Sequence, residues 1–274
     1  FYDTWLRLLK NKAAVTGLVF MVLLILVAIF ADFLYDYDTE VIAQNIQERL
    51  IEPCLAHPFG TDEFGRDLLA RVVHGSRMSL IVSFSSVAIS LTIGGLLGAV
   101  SGYYGGRIDN IIMRITDILL AIPMTLFAIV IVAALGANTR NLALALAASS
   151  VPIFARIVRG EFIRCKNMDY VRSAKLAGAG NLRIMFVHIL PNTVPVLLSA
   201  IMIGFNNAVL AEAGMSYLGI GVQPPQSSLG RMLSEAQTYL FSAPGFALFP
   251  GIFLIMLVLG FSLLGEGLKD REKE

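Results

Sequence analysis

Long apolar runs separated by short polar segments dominate the chain, and this pattern predicts helices that cross a lipid bilayer. A bilayer core needs about 20 mainly apolar residues per helix. Six stretches fit this description, at residues 13–33, 79–100, 108–135, 142–157, 193–213 and 246–264. The fourth is the shortest, and Ser149, Ser150 and Pro152 interrupt it. Since backbone amides in lipid must be satisfied within the segment, we expect an all-α integral membrane protein with six transmembrane helices.

Composition agrees with this prediction. Of the 274 residues, 56% are hydrophobic and 15% are charged, whereas a soluble domain carries about 25% charged residues. The first apolar run is not followed by a small-residue cleavage site, so we interpret it as a retained helix rather than a signal peptide.

The positions of Lys and Arg predict the orientation, because cytoplasmic segments of membrane proteins are rich in both. Basic residues flank the outermost spans, with Arg7, Lys10 and Lys12 before the first and Lys269, Arg271 and Lys273 after the last. Six crossings put both ends on one side, so residues 1–12 and 269–274 are predicted to be cytoplasmic. The acidic segment 34–78 then lies outside. Cys54 is outside and Cys165 inside, which excludes a disulfide between them.

Two external segments contain helical patterns. Beyond Gly65, apolar residues recur at helical spacing, at Leu68, Leu69, Val72 and Val73. They predict a short amphipathic helix on the outer membrane surface, which is either a linker packed on the bundle or a gate beside the entrance. A second amphipathic patch lies between residues 216 and 245. It predicts a re-entrant or surface helix, or else a packed loop without contact to substrate.

Polar residues inside the apolar runs are candidates for the passage of a substrate, because such residues are costly in lipid and often functional. Arg114 and Asp117 are three residues apart and can form a structural ion pair or line a conduit. Asn206 and Asn207 fit either hydrogen bonds between helices or a water-lined passage. Near the outer end of the fifth span, "GMSYLGIG" follows Glu212 and is a candidate outer gate. The candidate pathway and gate residues are Asp117, Asn206, Asn207, Glu212 and Met215.

The sequence offers little support for an enzyme. His57, His74 and His188 are far apart and fall on different sides of the membrane, without metal-ligand spacing. The Gly-rich turn at residues 101–109 lacks the Gly-Lys-Ser/Thr ending of a phosphate-binding loop. We therefore expect a non-catalytic chain that binds no metal and no cofactor of its own.

The basic cytoplasmic segment 158–192 interrupts the apolar pattern. Asp169 is a good N-cap for a short helix that continues to Ala177, and Gly178 and Gly180 end it. A second short helix is predicted from Asn181 to Leu190, broken by Pro191. On the first helix, Val171, Ala174 and Gly178 form a narrow face of small side chains. This face either admits another protein closely or belongs to a rigid hairpin that covers the bundle.

This segment resembles the cytoplasmic signature of ABC importer permeases. That signature reads E-A-A, three residues, G, nine residues, I, one residue, L-P. The corresponding residues here are Arg172-Ser173-Ala174, Gly178, His188 and Leu190-Pro191. Arg172, Ser173 and His188 depart from the usual Glu, Ala and Ile. Together with "HILPN", the stretches "HPFGTDEFGRD" and "AEAGMSYLGIG" are similar to the dipeptide/oligopeptide/nickel branch, and within it to the permeases designated C in peptide systems.

The resemblance implies a type I ABC importer (MetI-like) permease fold, in which residues 79–268 form a five-helix core that follows the first span. It also implies a bacterial inner-membrane complex with a second similar permease, two ATP-binding subunits that hold ATP and Mg, and an extracytoplasmic substrate-binding protein. The surface that couples to the ATPases would comprise Tyr170, Val171, Arg172, Ser173, Ala174, Lys175, Gly178, Leu190 and Pro191.

The substrate implied by the resemblance is a di- or oligopeptide, with nickel or a metal chelate as the alternative. A stand-alone carrier or channel is an alternative of another class. Such carriers often show inverted repeats, and this sequence shows no internal repeat. Because the chain lacks a phosphate-binding loop, energy for active transport must arrive through a partner.

Overall fold

The computed structural model describes residues 11–269. The basic residues Arg7, Lys10, Arg271 and Lys273, which the orientation argument uses, lie outside this range. Within it the regular structure is helical, and the single β-bridge joins Thr61 to Asp67. The α-helices are α1 Lys12–Ile29, α2 Ala31–Leu34, α3 Leu68–Tyr104, α4 Gly106–Leu120, α5 Met124–Leu135, α6 Thr139–Lys166, α7 Asp169–Leu176, α8 Asn181–Arg183, α9 Leu190–Tyr217, α10 Leu229–Ala236 and α11 Gly245–Lys269. Short π-helices span Tyr37–Ile42 and Ile184–Ile189, and 3₁₀ turns span Ile46–Glu48 and Gln237–Tyr239.

Five helical stretches are long and apolar enough to cross a membrane. They are α1, α3, α6, the continuous run Asn181–Tyr217, and α11. Helices α4 and α5 are long and apolar enough only when taken together, and the pair is bent by 86°, as in a broken span or a re-entrant loop. The prediction of an all-α membrane protein is confirmed, and the five or six candidate crossings agree with the predicted six.

The third crossing differs from the continuous helix predicted over residues 108–135. Helix α4 ends at Leu120, and α5 begins at Met124 with Pro123 as its N-cap. Proline has no N–H to donate and keeps the preceding residue out of the helical region, so the chain turns here. Pro152 lies inside α6 without breaking it. Helix α3 packs tightly against α6 on both sides of Pro152, and this contact keeps α6 helical through the proline.

The prediction of a separate surface helix before the second span is wrong. Residues 68–74 are the first turns of α3, a single helix of 37 residues that begins where the Asp67 carboxylate accepts a hydrogen bond from Ala70 N at 2.8 Å. Leu68 and Val72 are buried in an apolar cluster with residues of α10 and α11. Gly75 is buried, and a Cβ added there would lie 3.4 Å from the Ser228 backbone, so this part of α3 packs inside the protein instead of on the membrane surface.

The second external pattern forms α10, which is packed rather than exposed. Its residues Leu229, Met232 and Ala236 are fully buried against α11 and the outer end of α9. The segment is thus helical, as the first alternative has it, and packed, as the second has it.

A seam of glycines brings α3 and α6 into backbone contact. A Cβ added at Gly94 would lie 2.5 Å from a backbone oxygen of α6, and at Gly102 it would lie 2.7 Å from one. At Gly98 it would overlap the carbonyl oxygen of Ala155. Small residues at intervals of four let membrane helices approach this closely. The seam fixes α6 and thereby the cytoplasmic helices that follow it.

A cluster of buried charges ties the external segment to the helices, and we call Asp62, Arg66, Arg71 and Glu235 the external charge cluster. Asp62 is fully buried and accepts hydrogen bonds from Arg66 Nε and Arg71 Nη1, each at 2.6 Å. Arg71 Nη2 donates to Glu235 Oε2 of α10 at 2.8 Å. Burial and the neighbouring Arg71 charge lower the pKa of Arg66. These contacts join the residues around the start of α3 to α10.

We expect Arg71→Met to destabilise the protein far more than Arg164→Met. Arg71 is buried between two carboxylates, and breaking a buried pair costs about 3–5 kcal/mol because a charge is left uncompensated. Arg164 pairs with Glu161 at 2.5 Å, but its side chain is more than half exposed, so its loss costs about 1 kcal/mol or less. Thermal unfolding of both purified variants in detergent measures the difference. Equal unfolding temperatures for the two variants would show that the external charge cluster contributes nothing to the stability of the fold.

Candidate functional site

The cytoplasmic segment consists of two helical pieces joined by a glycine turn, as the sequence predicts. Helix α7 ends at Leu176, and Gly178 follows with φ +82°. The caps differ from the prediction. Met168 and Gly180 occupy the N-cap positions, so Asp169 and Asn181 each stand one residue inside a helix. Asn181 Oδ1 instead accepts a hydrogen bond from the Tyr103 hydroxyl at 2.8 Å.

Pro191 does not break the second helix. It lies near the start of α9, which continues without interruption from the π-helix Ile184–Ile189. A π turn is wider than an α turn, and here it accommodates a ring that has no N–H to donate. The second helical piece and the candidate membrane crossing formed by α9 are therefore one continuous helical run, Asn181–Tyr217.

The small-residue face of α7 faces the protein's own bundle. Val171 is fully buried, and Ala174 packs beside it against Phe162 and Ile184. Val171 and Ala174 therefore fit the alternative of a hairpin that covers the bundle, whereas Gly178 on the same face is exposed. Side chains advance by about 100° per helical residue, so the opposite face presents Asp169, Arg172, Ser173 and Leu176. All four are exposed, and Leu176 is 90% exposed.

The exposed face carries one ion pair, and a tyrosine lies at its edge. Arg172 Nη1 lies 3.7 Å from Asp169, and both side chains are at least 70% exposed. An ion pair this exposed contributes little, so the Arg172 guanidinium stays available to another protein. Tyr170 lies at the edge of this face, where burial and the neighbouring Cys165 thiol raise its pKa to about 12. Tyr170 therefore stays protonated at neutral pH.

Tyr103, near the end of α3, anchors the cytoplasmic segment to the membrane crossings. It is 4% exposed, and its hydroxyl holds Asn181 as described above. Its backbone carbonyl accepts a hydrogen bond from Lys166 at the end of α6. The ammonium group of Lys175 in α7 lies 5.6 Å from the centroid of its ring, within cation–π range. One residue thus joins α3, α6, α7 and α8.

A charged pair marks a polar face at membrane depth. The predicted pairing of Asp117 with Arg114 is wrong, because Asp117 Oδ1 accepts a hydrogen bond from Arg156 Nη2 of α6 at 2.6 Å. Both side chains are more than half exposed. They lie about 15 Å from the cytoplasmic ends of α4 and α6, at 1.5 Å per residue. Exposed charges at this depth are costly in lipid, so this face suits water or a partner chain.

A separate cavity of about 250 Å³ lies between α5, α6 and α9, and neither Asp117 nor Arg156 lines it. Ser150, Ser199 and Asn207 line it together with Met124, the first residue after the break in the third crossing. The Ser199 hydroxyl is buried and lacks a hydrogen-bond partner among the described residues. Irregular backbone at membrane depth is tolerated where it lines a water-filled cavity. We call Asp117, Ser150, Arg156, Ser199 and Asn207 the polar face.

The other pathway candidates lie elsewhere. Asn206 borders a separate cavity of about 160 Å³ beside Ser262 and Glu266. Glu212 is fully buried and accepts hydrogen bonds from the Ser79 and Ser216 hydroxyls, each at 2.7 Å. Met215 is buried in an apolar cluster. Asn207 thus lies at the cavity and Asp117 in the ion pair with Arg156, and the role of Glu212 and Met215 at an outer gate stays a prediction.

Sequence reasoning missed three residues of this site. Arg156 was not a candidate, although its place within the apolar run 142–157 was a usable signal. Ser199 gave no signal, because a serine on a membrane helix is common. Tyr103 was assigned to a turn, and its contacts with α6, α7 and α8 depend on tertiary structure alone. Among residues 11–269, no three His, Cys, Asp or Glu side chains lie close enough together to bind a metal ion.

Five or six candidate membrane crossings and a short polar helix packed against their ends are the features of a membrane permease subunit. Residues 94–271 match the model of the family "Binding-protein-dependent transport system inner membrane component". Residues 1–56 match the "N-terminal TM domain of oligopeptide transport permease C". The chain belongs to this family of permeases. They are non-catalytic, multi-pass membrane subunits of ABC importers, which work with ATPases and substrate-binding proteins.

Relatives match almost the whole chain. The dipeptide transport system permease protein DppC of Alkalihalophilus pseudofirmus is 42% identical over 98% of this chain and 88% of its own length. The protein of the same description from Haemophilus influenzae is 41% identical, over 98% of this chain and 92% of its own. The glutathione transport system permease protein GsiD of Pectobacterium atrosepticum is 40% identical, over 98% of this chain and 89% of its own length.

A solved structure shares the fold. An inward-facing conformation of the MetNI methionine ABC transporter aligns with a TM-score of 0.55 at 19% identity, over 73% of this chain and 93% of that chain. The predicted MetI-like permease fold is confirmed.

Proposed function

We propose that the chain forms one half of the translocation pathway for di- or oligopeptides in an ATP-driven importer. The observation that carries this proposal is the 40–42% identity, over 98% of the chain, to permeases described as dipeptide, di/tripeptide and glutathione transporters. The polar face supports it chemically. Hydroxyl, amide and charged groups can hydrogen-bond to the backbone and termini of a peptide.

We propose that the complete importer is assembled around this chain in the bacterial inner membrane. A second, similar permease packs against the polar face and completes the passage. Two ATP-binding subunits, which hold ATP and Mg, bind at the cytoplasmic side. An extracytoplasmic binding protein delivers the substrate to the external segment 34–78. Residues 1–12 and 269–274 are cytoplasmic in this arrangement.

Coupling would run through the exposed and buried faces of α7. Arg172, Ser173 and Leu176 bind a groove on the ATPase. A glutamate at position 172, as in the usual signature, would pair with a basic residue of the ATPase. Arg172 pairs with an acidic residue instead. Val171 and Tyr103 then transmit displacement into α3, α6 and α9. Pumping requires that the nucleotide state stabilise two conformations of the permease differently. The bent connection between α4 and α5 borders the cavity and is the natural place for the passage to change width.

Reconstitution with defined components tests the proposal. Proteoliposomes that contain the chain, its partner permease and the ATPases should accumulate a labelled dipeptide only with ATP inside and binding protein outside. The chain purified alone should not hydrolyse ATP. Uptake of a nickel chelate, with no uptake or competition by peptides, would contradict the peptide assignment and support the metal-chelate alternative.

We expect Gly178→Val to reduce ATP-driven uptake strongly, and Gly178→Asn to retain most of it. Gly178 has φ +82°, and a Cβ added there meets nothing within 4 Å. The cost of replacement is therefore backbone strain alone. A β-branched residue is a genuine outlier at such φ, whereas asparagine tolerates it. The measurement is the rate of ATP-driven uptake by each variant, compared at matched amounts of assembled complex. Equal uptake would show that the turn does not need this geometry.

A further inference from the structure

An apolar groove of about 740 Å³ opens between α1, α3, α9 and α11, away from the polar face. Helix α1 lines it from Leu18 to Ile29, and α3 lines it from Arg77 to Ser85. Phe205 and Phe261 stack at a centroid distance of 5.0 Å and lie at its floor. Several lining side chains are exposed to the surroundings, among them Ile29 and Phe84. The proposed coupling uses none of these residues.

The length of the groove matches one leaflet of a bilayer. From Leu18 to Ile29, α1 rises about 16 Å at 1.5 Å per residue. The hydrocarbon core is about 30 Å thick, so the groove covers about half of it. It runs from near the middle of α1 to the outer end of that helix at Ile29. A transmembrane helix of a partner needs the whole thickness, whereas the acyl chain of one lipid needs half.

The outer mouth of the groove carries both signs of charge. Arg77 Nη1 donates to Asp32 Oδ2 at 2.6 Å, and the two side chains are 36% and 64% exposed. This bond uses one of the five N–H donors of the guanidinium and one of the two carboxylate oxygens. The remaining donors suit a phosphate, and the remaining oxygen suits an ammonium group. A headgroup that carries both charges is complementary to this pair.

We propose that the groove binds one acyl chain of an outer-leaflet phospholipid whose headgroup contains a phosphate and a primary ammonium. Arg77 donates to the phosphate, Asp32 accepts from the ammonium, and the chain lies between α1 and α3. A phosphatidylcholine headgroup has no N–H to donate to Asp32. A phosphatidylglycerol headgroup carries the same phosphate charge but has no ammonium to balance it beside that carboxylate. Phosphatidylethanolamine is therefore preferred over both.

Native mass spectrometry of the complete importer, purified in detergent and titrated with palmitoyl-oleoyl phosphatidylethanolamine, tests this site. Arg77→Gln and Asp32→Asn each remove a charge-assisted hydrogen bond, and the tightest lipid site should weaken about tenfold in either variant. Ile25→Trp fills the groove and should remove one bound lipid. Val19→Trp is the matched control. Val19 is 55% exposed on the same helix and does not line the groove, so this variant should retain the lipid.

Three results would overturn the proposal. The first is equal lipid retention in Ile25→Trp and Val19→Trp. The second is equal affinity of the wild-type complex for phosphatidylcholine and phosphatidylethanolamine. The third is release of the partner permease by Ile25→Trp with the lipid count unchanged, which would assign the groove to a helix of that partner. Loss of one lipid from an otherwise intact complex supports the proposal, whatever substrate the importer carries.

Discussion

Leu176→Asp is expected to abolish ATP-driven uptake, while the chain still inserts into the membrane and pairs with its partner permease. Leu176 is 90% exposed at the end of α7, and burial of such a side chain in a groove contributes about 1.5–3 kcal/mol. A carboxylate loses this contribution and adds the cost of burying a charge. The affinity for the ATPase should therefore fall by on the order of a hundredfold.

The readouts for Leu176→Asp are uptake into proteoliposomes and recovery of the ATPase subunits with the affinity-purified permease pair. Leu176→Met is the matched control, because methionine keeps an apolar side chain of similar size, and it should behave like the wild type. Because Leu176 makes no contribution to the core, both variants should reach the membrane in normal amounts. Normal uptake by Leu176→Asp would mean that α7 does not bind the ATPase through its exposed face.

Gly98→Leu is expected to prevent folding, whereas Gly95→Leu, on the same helix, should be nearly neutral. A Cβ at Gly98 overlaps the carbonyl oxygen of Ala155, and this backbone atom cannot move aside without displacing α6. Overpacking a tight contact costs about 1–3 kcal/mol even where side chains can adjust, so a backbone contact costs at least that. At Gly95 an added Cβ meets nothing within 4 Å.

The amount of membrane-inserted protein that remains a single species after detergent extraction measures this difference. Both substitutions add the same side chain to the same helix, so hydropathy and insertion are matched. A severe loss for Gly98→Leu beside normal recovery for Gly95→Leu assigns the effect to the contact between α3 and α6. Similar recovery of the two variants would show that the helices are not packed through this glycine seam.

The crossings were predictable from sequence because the length and apolarity of a segment are local properties. The break in the third crossing was not, since two prolines within predicted spans behave differently. Pro123 interrupts its helix, while Pro152 lies inside α6, where the neighbouring α3 fixes the course of the chain. The glycine seam was equally hidden. Its spacing in the sequence does not say which helix approaches it.

For the site, the glycines at positions 178 and 180 predicted the turn between two helical pieces correctly, because this signal is local, whereas the predicted caps and the break at Pro191 were wrong. The sequence left the direction in which α7 faces open between two alternatives. The sequence shows that Val171 and Ala174 share a face, but their contact with Phe162 and Ile184 depends on the whole fold. In the same way, Arg114 was the nearest basic residue to Asp117 along the helix, yet Arg156, 39 positions away, makes the ion pair.

The most direct test of the central claim is the initial rate of labelled dipeptide uptake into proteoliposomes that contain this chain and its partner permease, measured with and without the ATP-binding subunits. Because the permease pair has no energy source of its own in this account, accumulation should require ATP and those subunits. An imposed proton or sodium gradient should not replace them. Accumulation driven by such a gradient in their absence would contradict the account and identify the chain as part of a stand-alone carrier.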